Sequence, residues 1–211
     1  MSGEQLPLEQ VAERNLVART LADLPEVLRR LWQEYRRQGA RAAAQYAFDH
    51  VTRLVTGAPP RFFSRVTPQL DVGGQYSARG WSRLRARGIT AVVNLRDEFD
   101  DAEAGIAPAA YLYLPTVDNT PPRIDDLCRG IRFIQQEIAG GGRVYVHCML
   151  GVGRSATLVA AYLVHQGMSP AEAWRTIRQA RPFIQPTPGQ VALIETFAQT
   201  RPDCSPPFTP I

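Results

Sequence analysis

Apolar residues recur at helical spacing through Leu24, Val27, Leu28, Leu31, Trp32 and Tyr35. The pattern predicts an amphipathic helix over 23–35, with Asp23 as its N-cap and Pro25 in its first turn. A second helical stripe runs through Ala44, Ala47, Phe48, Val51 and Val55 and stops at the breaker formed by Gly57, Pro59 and Pro60. Residues 1–60 therefore read as a helical N-terminal extension. Beyond it the period changes. Apolar runs at 89–95, 111–115 and 143–147 read as strands. Between the last two, Leu127, Ile131, Ile134 and Ile138 mark a helix that follows Pro121-Pro122 and ends at Gly140-Gly141-Gly142. Helical segments follow at 155–165, 170–181 and 188–199. Strands interleaved with helices predict an α/β fold whose central, mostly parallel sheet is flanked by helices, with function at the carboxyl ends of the strands. A catalytic domain over 61–200 and a Pro-rich tail over 201–211 complete the expected organisation.

Length and composition fit that organisation. The chain has 211 residues, 45% of them hydrophobic, and a formal net charge of +4, as expected for one globular domain plus an extension. No apolar run reaches the roughly 20 residues that cross a bilayer. The first residues carry Glu4 and Glu9 with neither a basic region nor an apolar one, so a secretory leader is not expected and a cytoplasmic location is. All 24 basic residues are Arg. Residues 29–65 hold eight Arg against two acids, whereas residues 66–211 hold 14 against 13. The pI of 9.2 is thus a local property, and without aromatic residues interleaved with an Arg stripe no nucleic-acid partner is expected. Cys128, Cys148 and Cys204 are too few and too scattered for a disulfide framework or a zinc site. Cys128 on its helix and Cys204 in the tail read as structural or incidental thiols, and no metal or cofactor is expected.

The third strand runs into His147-Cys148-Met149-Leu150-Gly151-Val152-Gly153-Arg154-Ser155, where a helix begins at once. A thiol at a helix N-terminus feels the positive end of the dipole and unpaired N–H groups, which lower its pKa from about 8.5 to roughly 3.5–7.5. Gly151 and Gly153 let the chain curl so that successive N–H groups point inward as a nest for phosphate oxygens. Arg154 adds a planar fork that fits two such oxygens. Cys148 is the candidate nucleophile, and Met149, Leu150, Gly151, Val152, Gly153 and Arg154 are the candidate phosphate-binding residues.

Five residues between Cys148 and Arg154 are the signature of the cysteine-based protein tyrosine phosphatase superfamily. The string HCMLGVGRSAT resembles its dual-specificity branch, and the resemblance covers about residues 65–200. VTPQLDVGGQYS is similar to the first strands of these enzymes, GITAVVNL to the strand beside the phosphate loop, and RPFIQPTPGQ to the segment after the catalytic helices. The resemblance implies a phosphocysteine on Cys148, phosphoryl binding by Arg154, help from Ser155 when the thiolate leaves, and orientation of the loop by His147. A general acid is also needed. Asp118, 30 residues before Cys148 and just after the second strand, resembles the acid of the mobile loop; Asp125 and Asp126 open the next helix, where capping and dipole explain them.

For the substrate, the resemblance implies either a phosphorylated protein or a phospholipid of the phosphatidylglycerophosphate or phosphoinositide type. Lipid-directed members commonly place Lys after the nucleophile, where this chain has Met149 and Leu150. Five acids, Asp97, Glu98, Asp100, Asp101 and Glu103, are expected to line one rim and repel a polyanion. Both features favour a phosphopeptide. The helices in 24–56 weigh the other way, because Arg29, Arg30, Arg36 and Arg37 oppose an apolar face that suits peripheral contact with an anionic membrane as well as packing on the core. A catalytically inactive phosphate-binding module is the remaining alternative; such proteins usually lack the nucleophile or the acid, and Cys148, Arg154 and Asp118 are all present.

Overall fold

The computed structural model describes residues 24–205. Asp23, the expected N-cap, lies outside them, as do the rest of residues 1–23 and residues 206–211 of the tail. The described chain opens with helices α1 (Leu24–Gln38) and α2 (Ala40–Thr56), which pack on each other across Gly39. The left-handed Gly57, at φ 80°, ends α2. A sheet follows, built from β1 (Arg65–Thr67), β2 (Leu70–Gly73), β3 (Ala91–Arg96), β4 (Ala110–Thr116) and β5 (Val144–His147) in the order β1-β2-β5-β3-β4. Only β1 is antiparallel to its neighbour. Helix α3 (Ala78–Ala86) precedes β3, α4 (Ile124–Ala139) precedes β5, and α5 (Arg154–His165), α6 (Pro170–Ala180) and α7 (Pro188–Thr200) follow it.

Alternation along the strands divides the core. Leu70, Val72, Ala91, Val93, Leu95, Val144 and Val146 join the main cluster with residues of α4 to α7, whereas Val92 and Tyr145 face the smaller cluster with Leu84 of α3. Each fully buried Val stabilises the fold by roughly 1.5–3 kcal/mol. His147 stands in register with Gly73 on one side and Asn94 on the other, so three strands end together where β5 gives way to α5. Ser169 and Thr187 close capping boxes with Glu172 and Gln190, each followed by Pro at the first helical position.

Two expectations change. The stripe assigned to α2 is largely solvent-facing, with Ala44, Phe48, Val51 and Val55 exposed; the helix instead buries Ala42, Ala43, Tyr46, Asp49 and His50. Among the described side chains of α1, Val27 is buried and Leu31 half-buried, while Leu28, Trp32 and Tyr35 are exposed. The other correction concerns the cysteines. Cys128 on α4 and Cys204 beyond α7 are joined in a disulfide across 76 residues, leaving Cys148 the free thiol. Sequence spacing carries no sign of this, because proximity is set by α7 running back beside α5 toward α4.

Candidate active site

Strand β5 delivers His147 and Cys148 to the sheet edge, and α5 begins at Arg154. Between them the chain turns under tight constraint. Gly151 has φ 71°, and a Cβ there would lie 2.2 Å from the Gly73 carbonyl carbon, so this position requires glycine on both counts. At Gly153 the backbone is not left-handed; a Cβ would instead press on Gln190 at 3.1 Å. Leu150 and Val152 are buried, and Met149 half-buried, against Val27, Tyr46 and Phe183. Their side chains serve packing, which leaves the backbone to face an anion.

Cys148 Sγ lies 3.4 Å from Ser155 Oγ. Burial opposes ionisation of this thiol, but the Arg154 guanidinium, the Ser155 hydroxyl and the N–H groups of Ser155 and Gly151 outweigh it and bring its pKa down to about 7. Arg154 is itself buried, with a bidentate hold on Glu98 at 2.8 and 3.1 Å and a hydrogen bond to the Thr116 carbonyl at 2.9 Å. Burial works against the guanidinium charge and Glu98 more than restores it, so its pKa stays above the ordinary arginine value. Nη2 also meets Asp118 at 3.1 Å. Arg154 Nε is buried with no protein partner, a donor available for a ligand oxygen.

Asp118 lies on the loop after β4. Asn119, left-handed at φ 63°, turns this loop, and its side-chain amide donates to Asp118 Oδ2 at 3.0 Å. Gln190 ties the loop down by donating to the Thr120 carbonyl at 2.9 Å. Behind the thiol, His147 Nε2 pairs with the buried Asp101 at 2.8 Å. Burial pushes the Asp101 carboxyl up, yet His147, Gln75 and Tyr76 hold it below the usual range. Gln75 bridges onward, donating to Asp101 at 2.8 Å and accepting from Arg96 at 3.1 Å, and Arg96 reaches Glu98 at 2.8 Å. A continuous polar chain thus connects His147 to Arg154.

This chain corrects the expected acidic rim at Asp101 and changes the charge balance at Glu98. Asp101 is buried under the loop, Glu98 is neutralised by two arginines, and Asp97 lies 3.4 Å from Arg154. Sequence reasoning missed Gln75, Arg96 and Gln190, isolated polar residues with no periodic signal. It also missed Asp49, Arg53 and Arg181. Arg181 is fully buried and donates to the carbonyls of Gly151 and Leu150, each at 2.7 Å. Among the described residues no cluster of His, Cys, Asp and Glu could hold a metal ion.

Comparison with known proteins agrees with this geometry. Residues 72–200 match the family described as dual specificity phosphatase, catalytic domain. The chain is 30% identical over 145 residues to phosphatidylglycerophosphate phosphatase PTPMT2 of Arabidopsis thaliana, which covers 66% of this chain and 64% of that protein. It is 34% identical over 123 residues to human dual specificity protein phosphatase 1, covering 57% of this chain and 33% of the relative. The crystal structure of PTPMT1 in complex with PI(5)P superposes with a TM-score of 0.60 at 29% identity, over 64% of this chain and 94% of that one. The match thus spans under two-thirds of these curated relatives. With the cysteine loop, its arginine and the parallel sheet that carries them, the chain belongs to the dual-specificity phosphatase family of the cysteine-based protein tyrosine phosphatase superfamily.

Proposed function

We propose that this protein hydrolyses phosphate monoesters through a phosphocysteine, and the observation that carries the proposal is the buried Cys148 thiol, beside Ser155 Oγ at 3.4 Å, at the base of the loop that ends in Arg154, whose guanidinium meets Asp118 at 3.1 Å. The Cys148 thiolate attacks phosphorus while the bond to the leaving oxygen breaks and Asp118 gives that oxygen its proton. Arg154 and the N–H groups of 149–154 hold the phosphoryl oxygens as charge shifts onto them. In the second step Asp118 takes a proton from water, the water oxygen bonds to phosphorus, and the sulfur–phosphorus bond breaks. The Ser155 hydroxyl, 3.4 Å from Sγ, stabilises the departing thiolate. His147 holds the loop in place from behind.

For the substrate we propose a phosphorylated phospholipid headgroup at an anionic membrane surface. Trp32, Tyr35, Phe48 and Phe62 are exposed on or beside the two N-terminal helices, whose packed side meets Met149 and Leu150 of the phosphate loop. Apolar side chains among arginines at the edge of a site suit a lipid interface, where each basic residue contributes about 1 kcal/mol. Relatives named as phosphatidylglycerophosphate phosphatases add support, and neutralised Glu98 and buried Asp101 remove two of the charges that weighed against a polyanion. A phosphoprotein substrate is the second reading, favoured by the lack of a cation at Met149 and Leu150. Phosphatidylglycerophosphate and phosphatidylinositol 5-phosphate in anionic vesicles, compared with phosphotyrosyl and phosphothreonyl peptides, separate the two. The lipid reading expects at least tenfold higher kcat/KM on vesicles, and a loss on vesicles alone in Trp32→Ser. Faster turnover of peptides, unaffected by vesicles, would sink it.

A further inference from the structure

The phosphate loop binds through its N–H groups only if its carbonyls point elsewhere. Each carbonyl from 149 to 153 has a donor. Gln75 N–H meets Met149 O at 3.0 Å, Gln185 N–H meets Val152 O at 2.8 Å, and Thr157 N–H meets Gly153 O at 2.9 Å. The carbonyls of Leu150 and Gly151 are both taken by Arg181 at 2.7 Å, and Arg53 adds a second donor to Met149 O at 3.1 Å. One carboxylate organises both arginines. Asp49 Oδ1 and Oδ2 accept from Arg181 at 3.0 and 2.9 Å, and Oδ2 lies 3.4 Å from Arg53 Nε. Asp49 and Arg181 are fully buried. Asp49 and Arg53 stand one turn apart on α2, ahead of the residues 72–200 that match the family.

We infer that α2 is a working part of the anion cradle: Asp49 and Arg53 are positioning residues that hold the carbonyls of Met149, Leu150 and Gly151 outward and so keep the loop's N–H groups aimed at the phosphate. The inference goes beyond the hydrolase reading while resting on it for the identity of the anion. Its physical basis is preorganisation. A peptide unit that swings its carbonyl inward presents negative charge to the phosphate and removes a donor together. Arg181 opposes this at two adjacent units, and its own fork is held by Asp49 in a buried bidentate pair. Removing the carboxylate leaves the Arg181 and Arg53 guanidinium groups without their shared counter-ion, held to the loop by its carbonyls alone.

The test uses the full chain with Asp49→Asn and Arg53→Gln, each checked for a cooperative thermal transition. Three quantities are read: orthovanadate affinity, the pH at which the Cys148 thiolate absorbance appears, and kcat and KM on a small aryl phosphate. Positioning predicts vanadate binding weakened about tenfold in Asp49→Asn and about threefold in Arg53→Gln, thiolate appearance moved to higher pH, and a fall in kcat/KM to match. Asp49→Glu should recover part of the loss. Folded Asp49→Asn or Arg53→Gln protein with vanadate affinity and thiolate titration unchanged would overturn the inference and reduce α2 to a packing partner. Vanadate binding and thiolate absorbance need no turnover. If the wild-type protein hydrolyses no phosphoester, the hydrolase reading fails, and weaker vanadate binding in the two variants still supports the role of α2.

Discussion

Cys204→Ser removes the bond to Cys128, and the cost follows from the chain it closes. With the two cysteines 76 positions apart in sequence, the loop-closure relation gives an entropy restriction of about 15 cal/mol/K on the unfolded chain, or about 4.5 kcal/mol at 25 °C. For a chain of this size that corresponds to a fall in Tm of roughly 9–18 °C. The oxidised native contacts add little to this figure: Arg132 donates to the Cys204 carbonyl at 3.2 Å, a backbone acceptor that serine keeps. The assay is thermal unfolding followed by circular dichroism, with and without a reductant. Wild-type protein should lose stability on reduction, Cys204→Ser should not respond, and the two should converge in reductant. Thiol titration in denaturant without reductant should find one thiol in wild type and three after reduction. Three thiols from the outset, or equal Tm values for wild type and variant under oxidising conditions, would refute the reasoning.

Further outcomes follow from the site. Because Cys148 is brought down to about 7, kcat/KM should rise with pH up to about 7 as thiolate forms and the limb should move to higher pH in Arg154→Met, measured on an aryl phosphate. Asp118→Asn should lower kcat by roughly 10²–10⁴ with a poor leaving group and leave vanadate affinity intact or improved, since Arg154 then loses a competing partner; a large loss of vanadate binding would contradict the assigned role. Asp101→Asn puts an amide in place of the buried carboxylate that His147 Nε2 meets at 2.8 Å and should cost roughly 1–3 kcal/mol, read from chemical denaturation at neutral pH. Since Asp101 lies below its ordinary 3.8 in the folded protein, its stabilisation is complete above that pH and lost only as pH falls through the lower folded value. Wild type and Asp101→Asn should therefore converge in strong acid.

The catalytic string and the sheet that presents it were legible because both are local. Val144 and Val146 enter one cluster and Tyr145 the other, and the glycines and Arg154 follow within one turn, so the candidate nucleophile and its candidate fork are neighbours in the sequence itself. Asp118 was legible because a parallel strand fixes which edge its loop joins. The support beneath the loop was not, since Asp49 and Arg181 meet across 132 residues. Hydrophobic periodicity found helix α2 through Phe48, Val51 and Val55 but did not say which face it buries, and the buried face carries Asp49 and His50. Helix α3 escaped notice because only Gly80 and Leu84 in its nine residues are buried, too few for a period to emerge.

The carboxylates on Arg154 impose a threshold on what the pocket accepts. Glu98 and Asp118 are tethered to the same chain, so each contends for the guanidinium at the effective concentration of an intramolecular partner, at least millimolar. An incoming ligand must displace Asp118 rather than fill bare positive space. A terminal phosphate, with two negative charges and three free oxygens for the loop's N–H groups and for Arg154 Nε, can meet that demand. A phosphodiester, with one charge and two free oxygens, offers less on every count. Under the proposed hydrolase reading, the carboxylates on Arg154 favour monoesters over the diester linkages of nucleic acids and intact phospholipids before any bond is broken.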